Sequence, residues 1–415
     1  MASSTVREAR PPPEQSTWPA FFHQQVSANA CYWLEQIAAH SADAPLLHRE
    51  RDNIVKALDR ALQLEAAWEA ASHLLLAFHP YMERRGVMAD WERFVETSLE
   101  LSRQKGDLAA EGALLDRLGE LKRDQGFREE SAACHERAHL LCERAGDKVG
   151  SARALANLGH VYRLERRYTE AAQVLEKALE GFRECQDLDG EGFAHNTLGL
   201  VRFEEYKLDE ALVSYQEAYD VWSESGDSEG MARAQHNMGN AYREQGNWPQ
   251  AEIFLESAIA LYEQTHSRLY LALAVMDLGN LHLERQQPGQ AEALYERAEA
   301  VITETGYTRG LAQVYNNLGM ACTRQRKWGL AEGFLQRSIS LWRQLGEPVS
   351  QANTEDNLAE AYLEQQKWEP AWEVLNQALE RVSDFEAEGQ VEELLSDISE
   401  HLHKAEAGLD KAVVA

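Results

Sequence analysis

The feature that most constrains this chain is a phrase that returns every forty residues. Residues 316–342 read NNLGMACTRQRKWGLAEGFLQRSISLW, and residues 236–262 read HNMGNAYREQGNWPQAEIFLESAIALY. One glycine marks each period, at Gly119, Gly159, Gly199, Gly239, Gly279 and Gly319, with Ala359 in a seventh copy. One period earlier lies His79, which gives eight copies, the first of them degenerate. A fixed period of this length predicts stacked copies of one structural unit rather than several unrelated domains.

The apolar columns of the repeat predict α-helices. In the copy that begins near Gly239, the residues Ala251, Leu255, Ala258 and Tyr262 follow at steps of four, three and four. These steps trace one face of a helix. A small residue at the glycine column, and at the two alanine columns, would let two helix backbones approach closely, with the larger side chain filling the space between them. Each copy is therefore predicted to be a helix, a turn, a second helix and a second turn.

Turn residues punctuate the copies at the places where helices should end and begin. One column holds a residue suited to a left-handed helix terminus, in Gly106, Gly146, Gly226, Gly306 and Gly346. The next column holds a residue able to cap the following helix, in Asp107, Asp147, Asp187 and Asp227. Pro249, Pro288 and Pro370 stand near the start of the second helix of their copies, where a missing N–H costs nothing.

The pattern resembles the tetratricopeptide repeat (TPR). The residues that carry the resemblance are Met238-Gly239, Tyr242, Ala251, Leu255 and Ala258, repeated in phase along the chain. The period of forty exceeds the usual period of about thirty-four. It is similar to the repeats of kinesin light chains and to the C-terminal superhelix of bacterial STAND regulators. The resemblance implies an all-α fold, an α-solenoid that forms a right-handed superhelix of about eight helix-turn-helix repeats.

The organisation along the chain follows from where the repeat starts and stops. Residues 1–16, with RPPPEQS, are predicted to be disordered, and residues 17–69 to form extra helices that lead into the array. Residues 70–387 are predicted to hold the array, and residues 388–415 a capping helix and tail. The phrase ERDNIVKALDRAL resembles the segment that leads into the superhelix of STAND regulators, although no GxxxxGK[ST] phosphate loop is present.

The charge of the chain restricts its partners. A net charge of −28, from 69 acidic and 41 basic residues, repels nucleic acid and anionic membrane surfaces. No apolar run approaches the roughly 18 residues of a membrane-spanning helix, and no secretory leader is recognisable, so a cytoplasmic protein is expected. The five scattered cysteines are interpreted as core residues rather than as disulfides or zinc ligands. The predicted partner is another protein or a peptide segment.

Motifs for catalysis are not found. The chain has no HExxH and no GxSxG, so we predict that it is not an enzyme and has no catalytic residues, metal site, cofactor or small-molecule substrate. His401 and His403 are two residues apart on a predicted helix, which points them to different faces.

The first helix of each repeat carries the candidate binding residues. The resemblance implies that this helix lines a concave groove, where exposed positions are rich in asparagine and arginine. Asparagine is a poor helix former, but its amide can pair with the backbone of an extended peptide, and arginine can bind a carboxylate. The alternative is that these asparagines bond to carbonyls of the next repeat and hold the stack together. The candidate residues are Arg153, Asn157, His160, Arg163, Asn196, Arg233, His236, Asn237, Asn240, Arg243, Asn280, Asn316, Asn317, Asn353 and Asn357.

Two further sets of residues leave alternatives open. Acidic residues share the groove with the candidates, at Asp116, Glu120, Asp124, Asp277, Glu284, Asp356, Glu360 and Glu364. Three tryptophans at the turn inside the repeat either wedge between helices or form a second, aromatic surface, namely Trp248, Trp328 and Trp368.

The sequence favours a non-enzymatic module that binds a protein segment in its groove and acts as an adaptor or regulator in signalling. The alternative is the sensor or autoinhibitory subunit of a separately encoded STAND ATPase or protease. The identity of the partner and the oligomeric state are not predicted.

Overall fold

The computed structural model describes residues 18–40, 44–85, 89–383 and 391–414. Within these ranges the regular structure is helical throughout, without a strand. The all-α fold class is therefore confirmed. The disorder predicted for residues 1–16 lies outside the described residues.

Contacts divide the chain into an N-terminal unit, Met1–Val201, and a C-terminal unit, Arg202–Ala415. The N-terminal unit begins with three helices and a short 3-10 helix, Glu65–Ala67, whose side chains share one core. Its helices are α1 (Trp18–Ala39), α2 (Ala44–Leu62), α3 (Trp68–Arg85), α4 (Ala89–Lys105), α5 (Leu108–Asp124), α6 (Arg128–Ala145), α7 (Lys148–Leu164) and α8 (Tyr168–Cys185), and α9 (Leu188–Glu204) crosses the division. α3 and α4 stand where the degenerate first copy was predicted.

The C-terminal unit continues the alternation of first and second helices. Each first helix packs against the second helix of its own repeat and against the second helix of the repeat before it. The helices are α10 (Leu208–Ser225), α11 (Ser228–Glu244), α12 (Trp248–Gln264), α13 (Arg268–Glu284), α14 (Pro288–Thr305), α15 (Thr308–Arg324), α16 (Trp328–Leu345), α17 (Pro348–Glu364), α18 (Trp368–Val382) and α19 (Val391–Val414). α19 packs against α17 and α18 at the end of this series. Such a succession of stacked helical pairs is the α-solenoid class that the repeat predicts.

The glycine column explains how closely the two helices of a repeat approach. A Cβ added at Gly319 would lie 2.4 Å from Cγ of Leu335, and one at Gly279 would lie 2.5 Å from Cε1 of Tyr295. No real Cβ tolerates contacts that short, so glycine allows the large side chain of the second helix to lie against the first helix. The close approach predicted from the sequence is confirmed.

The predicted caps are also confirmed. The side chain of Asp147 accepts a hydrogen bond of 2.9 Å from the backbone N–H of Gly150, and Asp107 accepts one of 3.0 Å from Ala110. Asp187 and Asp227 cap their helices in the same way. The glycines of the preceding column adopt left-handed φ angles between 69° and 77°.

A second left-handed column was not predicted from the sequence. It lies seven residues after the anchor position, at the turn inside the seven copies anchored from Gly119 to Ala359, where φ lies between 58° and 87°. Only two of the seven residues are glycines, Gly126 and Gly246; the others are Arg166, Tyr206, Gln286, Arg326 and Gln366. The geometry of the turn imposes the conformation even on side chains that disfavour it.

The cysteines and tryptophans have mixed environments. Cys142 and Cys322 are buried, and burial raises the pKa of their thiols to about 12 and about 11. Cys31 is exposed on α1, so the interpretation of every cysteine as a core residue is wrong there.

Trp368 lies against Gly408 of α19, where an added Cβ would lie 2.2 Å from its ring. This contact favours the interpretation that Trp368 is wedged between helices. Trp248 is 42% exposed.

Candidate functional site

A cleft of about 440 Å³ opens among the helices of the C-terminal unit. Three consecutive first helices, α13, α15 and α17, supply most of its lining, and α16 supplies Trp342. The lining residues are Leu273, Met276, Asp277, Asn280, Gln313, Asn316, Asn317, Trp342, Ser350, Asn353 and Thr354. Five of these eleven side chains are carboxamides, so the walls are polar and almost uncharged. We call this site the carboxamide cleft.

The repeat brings these side chains together. Asn280 follows its anchor glycine by one residue, Asn317 precedes the next anchor by two, and Asn353 precedes the last anchor by six. On helices of equal length, stacked in order, such positions lie on one shared face. Of the predicted binding residues, Asn280, Asn316, Asn317 and Asn353 line the cleft. Gln313, Ser350 and Thr354 line the cleft but were not predicted. Gln313 stands six residues before its anchor, at a groove position, whereas Ser350 and Thr354 stand nine and five residues before Ala359, outside the predicted groove positions.

Hydrogen bonds connect the asparagines of successive repeats. Asn357 donates to Oδ1 of Asn316 at 2.9 Å, and Asn317 donates to Oδ1 of Asn280 at 3.1 Å. Asn280 also accepts a bond of 2.7 Å from the Tyr295 hydroxyl. The alternative interpretation proposed bonds between repeats to backbone carbonyls, whereas Asn357 and Asn317 donate to side-chain oxygens. The asparagines therefore stabilise the stack while presenting a polar wall to the cleft.

Asp277 is the charged residue of the cleft lining, and donors surround it. His236 lies 2.7 Å and Asn240 3.0 Å from its Oδ2, and Asn280 donates to Oδ1 at 3.3 Å. Burial disfavours the charged form, but the hydrogen bonds from His236 and Asn240 and the charge of Arg243 outweigh it and lower the pKa of Asp277. The carboxylate is therefore ionised at neutral pH.

The two arginines predicted as binding residues in the C-terminal unit contact other residues of the chain. The guanidinium of Arg243 lies 3.1 Å from Glu244, 3.5 Å from Glu284 and 3.9 Å from Asp277. The guanidinium of Arg233 lies 5.7 Å from the ring of Trp222 and 5.8 Å from the ring of Tyr270, a cation–π arrangement. These contacts favour a structural role, because a ligand carboxylate at Arg243 would meet three carboxylates of the protein.

In the N-terminal unit a buried polar network occupies the corresponding face. Asn157 is buried and donates to Asp116 at 3.1 Å and to Glu120 at 3.2 Å. Glu120 also lies 2.7 Å from Arg117 and 3.1 Å from Nε2 of His79. Although burial opposes it, the charge of Arg117 and the bond with His79 hold the pKa of Glu120 far below its usual range. Asn157 is thus part of the core of its unit.

Trp91 and His135 extend this network. The indole of Trp91 donates to Nδ1 of His79 at 2.9 Å, so Nε2 of His79 carries the proton that faces Glu120. His135 occupies the column that holds leucine or tyrosine in other copies, and it lies 2.8 Å from Asp116. At this column the copy anchored at Gly119 therefore has a polar side chain where the later copies have leucine or tyrosine.

The remaining predicted residues lie outside the cleft. Arg153 is exposed, with Nη2 3.9 Å from Asp187. Arg163 and Asn237 are half-buried, and Asn196 is buried. The structure therefore gathers only part of the predicted set into one site.

The described residues provide no group of three or more histidine, cysteine, aspartate or glutamate side chains that could hold a metal ion. None of the helices in the described ranges combines the length and the apolar character that crossing a membrane requires.

A profile of the tetratricopeptide repeat matches residues 110–184, 192–264 and 310–384. These segments cover more than half of the chain. The chain belongs to the tetratricopeptide repeat family. The resemblance drawn from the leucine-glycine and alanine columns is thereby confirmed, and the three matched segments include the second helices as well as the first.

Solved TPR structures share the fold at low sequence identity. A STAND protein with a tetratricopeptide repeat sensor from Pyrococcus horikoshii is 14% identical, with a TM-score of 0.60 over 84% of this chain and 55% of that chain. A Rap protein complexed with competence and sporulation factor is 14% identical, with a TM-score of 0.57 over 94% of this chain and 99% of that one. The apo quorum sensor NprR from B. thuringiensis is 14% identical, with a TM-score of 0.56 over 87% of this chain and 99% of that chain. No curated protein sequence matches the chain.

Proposed function

We propose that this TPR protein binds an extended segment of another protein in the carboxamide cleft and acts as a non-enzymatic adaptor or regulator in signalling. The observation that carries the proposal is the lining itself, in which five carboxamides and two hydroxyls surround a cleft of about 440 Å³. An extended segment has unpaired backbone N–H and C=O groups, and a carboxamide can donate to one and accept from the other. A cytoplasmic location would suit such a role.

The shape and chemistry of the cleft support this choice of ligand. Trp342 and Met276 are buried and form an apolar floor, while the amides form the walls. Pockets that bind small segments combine an apolar floor with a few polar groups that fix orientation. The Rap structure named above contains a bound factor, and its fold is similar to that of this chain.

The proposal is tested by removing the carboxamides of exposed residues that line the cleft. Gln313→Ala combined with Asn353→Ala should weaken capture of the partner from lysate about tenfold, because each lost hydrogen bond contributes about 0.5–1.5 kcal/mol. Gln250→Ala combined with Gln377→Ala removes two exposed amides of α12 and α18, away from the cleft, and should leave capture unchanged. Melting temperature and helicity should be the same in all three proteins. Equal capture by both double variants would refute the cleft as the binding site.

A second candidate function is the sensor or autoinhibitory subunit of a separately encoded STAND ATPase or protease. This function is favoured by the sequence ERDNIVKALDRAL in α2, which resembles the segment that leads into the superhelix of STAND regulators. It is also favoured by the structural similarity of 84% of this chain to 55% of a STAND protein. This candidate predicts a partner that stays bound through gel filtration and is retained by the Gln313→Ala, Asn353→Ala variant. A partner that dissociates during gel filtration and is lost in that variant would contradict it.

A further inference from the structure

The charges around the carboxamide cleft are unbalanced. Asp277 lines the cleft, and Glu284 follows it by two helical turns on the same face of α13. Both carboxylates, together with Glu244 of α11, lie within 4 Å of the single guanidinium of Arg243, at 3.9, 3.5 and 3.1 Å. This edge of the cleft therefore holds three carboxylates beside one guanidinium, with the ring of His236 2.7 Å from Asp277.

Burial is the main cause of a raised pKa at Glu284. The charge of Arg243 opposes the rise, and the negative charges of Glu244 and Asp277 add to it. An additional positive charge near Glu284 and Asp277 would favour both ionised forms.

The interior of the cleft limits what such a cation can be. Trp342 is 4% and Met276 6% exposed, so the floor is apolar, and the amide walls contribute no charge. The side chain of Asp277 is 26% exposed, and a ligand that fills the cleft would take water from it. The hydrogen bonds from His236, Asn240 and Asn280 would compensate part of this loss. An acidic ligand would bring a like charge against the carboxylate, whereas a basic ligand would add an attraction.

We propose that the carboxamide cleft selects a basic segment, in which a lysine or arginine lays its methylene stem on Trp342 and Met276 and places its charged head beside Asp277. Long basic side chains bury their stems against apolar surface while the charge stays at a polar rim. The inference rests on the proposed function, since the amides must hold the backbone of the segment. The net charge of −28 also attracts a basic partner from a distance.

The test uses the full chain and capped synthetic hexapeptide pools, each with one fixed residue, Lys, Arg, Leu or Glu, in an otherwise random sequence. Acetyl and amide caps remove the terminal charges. Binding is measured by fluorescence polarisation at low and at high salt. The Lys and Arg pools should bind about tenfold more tightly than the Leu and Glu pools, and the advantage should shrink with salt as surface charges are screened.

Matched variants separate the cleft from the general charge of the protein. Glu284→Gln and Glu256→Gln each remove one negative charge from an exposed residue outside the cleft lining, but only Glu284 lies beside the guanidinium of Arg243, which also contacts Asp277. Glu284→Gln should lose most of the preference for basic pools and Glu256→Gln should keep it. Asp277→Asn serves as a second variant and should also lose the preference. Its helicity is checked, because Asp277 accepts hydrogen bonds from three neighbouring residues.

Three results would overturn the inference. Equal binding of Leu or Glu pools, with affinity that still falls in the Gln313→Ala, Asn353→Ala variant, would refute the basic preference and leave the proposed function standing. Equal loss of the preference in Glu284→Gln and Glu256→Gln would assign it to the overall charge. Failure of every pool to bind would remove the proposed function and the inference together.

Discussion

At the scale of single residues, the anchor glycine sets the distance between the two helices of a repeat. Gly319 has Leu335 against it, and the seventh copy tolerates Ala359 at the same column. Alanine improves helix propensity by about 1 kcal/mol relative to glycine, which offsets part of the crowding. A branched residue has no such tolerance, because its γ-carbons reach further into the second helix.

Gly319→Val should therefore lower the free energy of unfolding by about 1–3 kcal/mol through overpacking, and Gly319→Ala by less. Gly333→Val provides the matched control, because Gly333 lies in helix α16 with nothing within 4 Å of an added Cβ. Chemical denaturation of the three variants measures the difference. Equal effects at positions 319 and 333 would contradict the close-approach explanation.

The residue scale also contains a titrating contact at the end of the array. Nδ1 of His401, on α19, lies 2.7 Å from Oδ1 of Asp356 on α17. The hydrogen bond with Asp356 raises the pKa of His401 against the effect of burial; the charge of Glu360 supports the rise and that of Lys404 opposes it. A histidine whose folded pKa is raised stabilises the folded state fully below its unfolded pKa of about 6.5. That stabilisation is lost as the pH rises through the folded value.

His401→Gln should accordingly lower the melting temperature more at about pH 5.5 than at about pH 8.5, since the ion pair exists only when the imidazole is charged. His403→Gln changes an exposed histidine two residues along α19 and should show a much smaller dependence on pH. Differential scanning calorimetry at the two pH values gives the comparison. A His401→Gln penalty that is constant across this range would show that the pair contributes by packing alone.

At the scale of helices and turns, the left-handed residue inside each repeat imposes a local cost. Gln286 and Gln366 have φ of 58° and 61°. An L-residue other than glycine pays about 1–2 kcal/mol in this region, whereas glycine loses about 0.5–1 kcal/mol of chain entropy on folding. The balance favours glycine slightly at each turn.

The double variant Gln286→Gly, Gln366→Gly should thus raise the free energy of unfolding by about 1 kcal/mol in total. Gln377→Gly, in the middle of α18, should lower it by about 1 kcal/mol, because glycine is a poor helix former. Urea denaturation distinguishes the two signs. Destabilisation by the double variant would mean that the glutamine side chains make contacts worth more than the backbone strain.

At the scale of the whole molecule, structural features that are marked by recurring residues are predicted from the sequence, and features that differ between copies are not. The period and the helix pairs follow from columns that recur in nearly every copy, and the aspartate caps follow from a column that holds aspartate in four copies. The turn conformation of Arg166 and Tyr206 could not be predicted, because neither residue type signals a left-handed backbone. The geometry of a turn shared by all copies sets it instead.

The site was harder to predict than the fold for the same reason. Each repeat presents the same candidate positions, and the sequence does not show which of them meet a partner from a neighbouring repeat. Asn157 joins Asp116 in a buried network, while Asn316 and Asn317 line an open cleft. The difference depends on residues about forty positions away, such as Asp116, which no local pattern connects to the asparagine.

A photo-crosslink can show whether the carboxamide cleft holds a segment of a partner protein. One protein carries the photo-crosslinking residue p-benzoylphenylalanine at position 353, inside the cleft, and a second protein carries it at position 377 on the exposed side of α18. After irradiation in the native lysate, we expect one covalent adduct from position 353 that is absent from position 377, and mass spectrometry of that adduct should identify a basic, extended stretch of the partner. Adducts from position 377 alone, or the same adducts from both positions, would mean that the partner does not bind in the cleft.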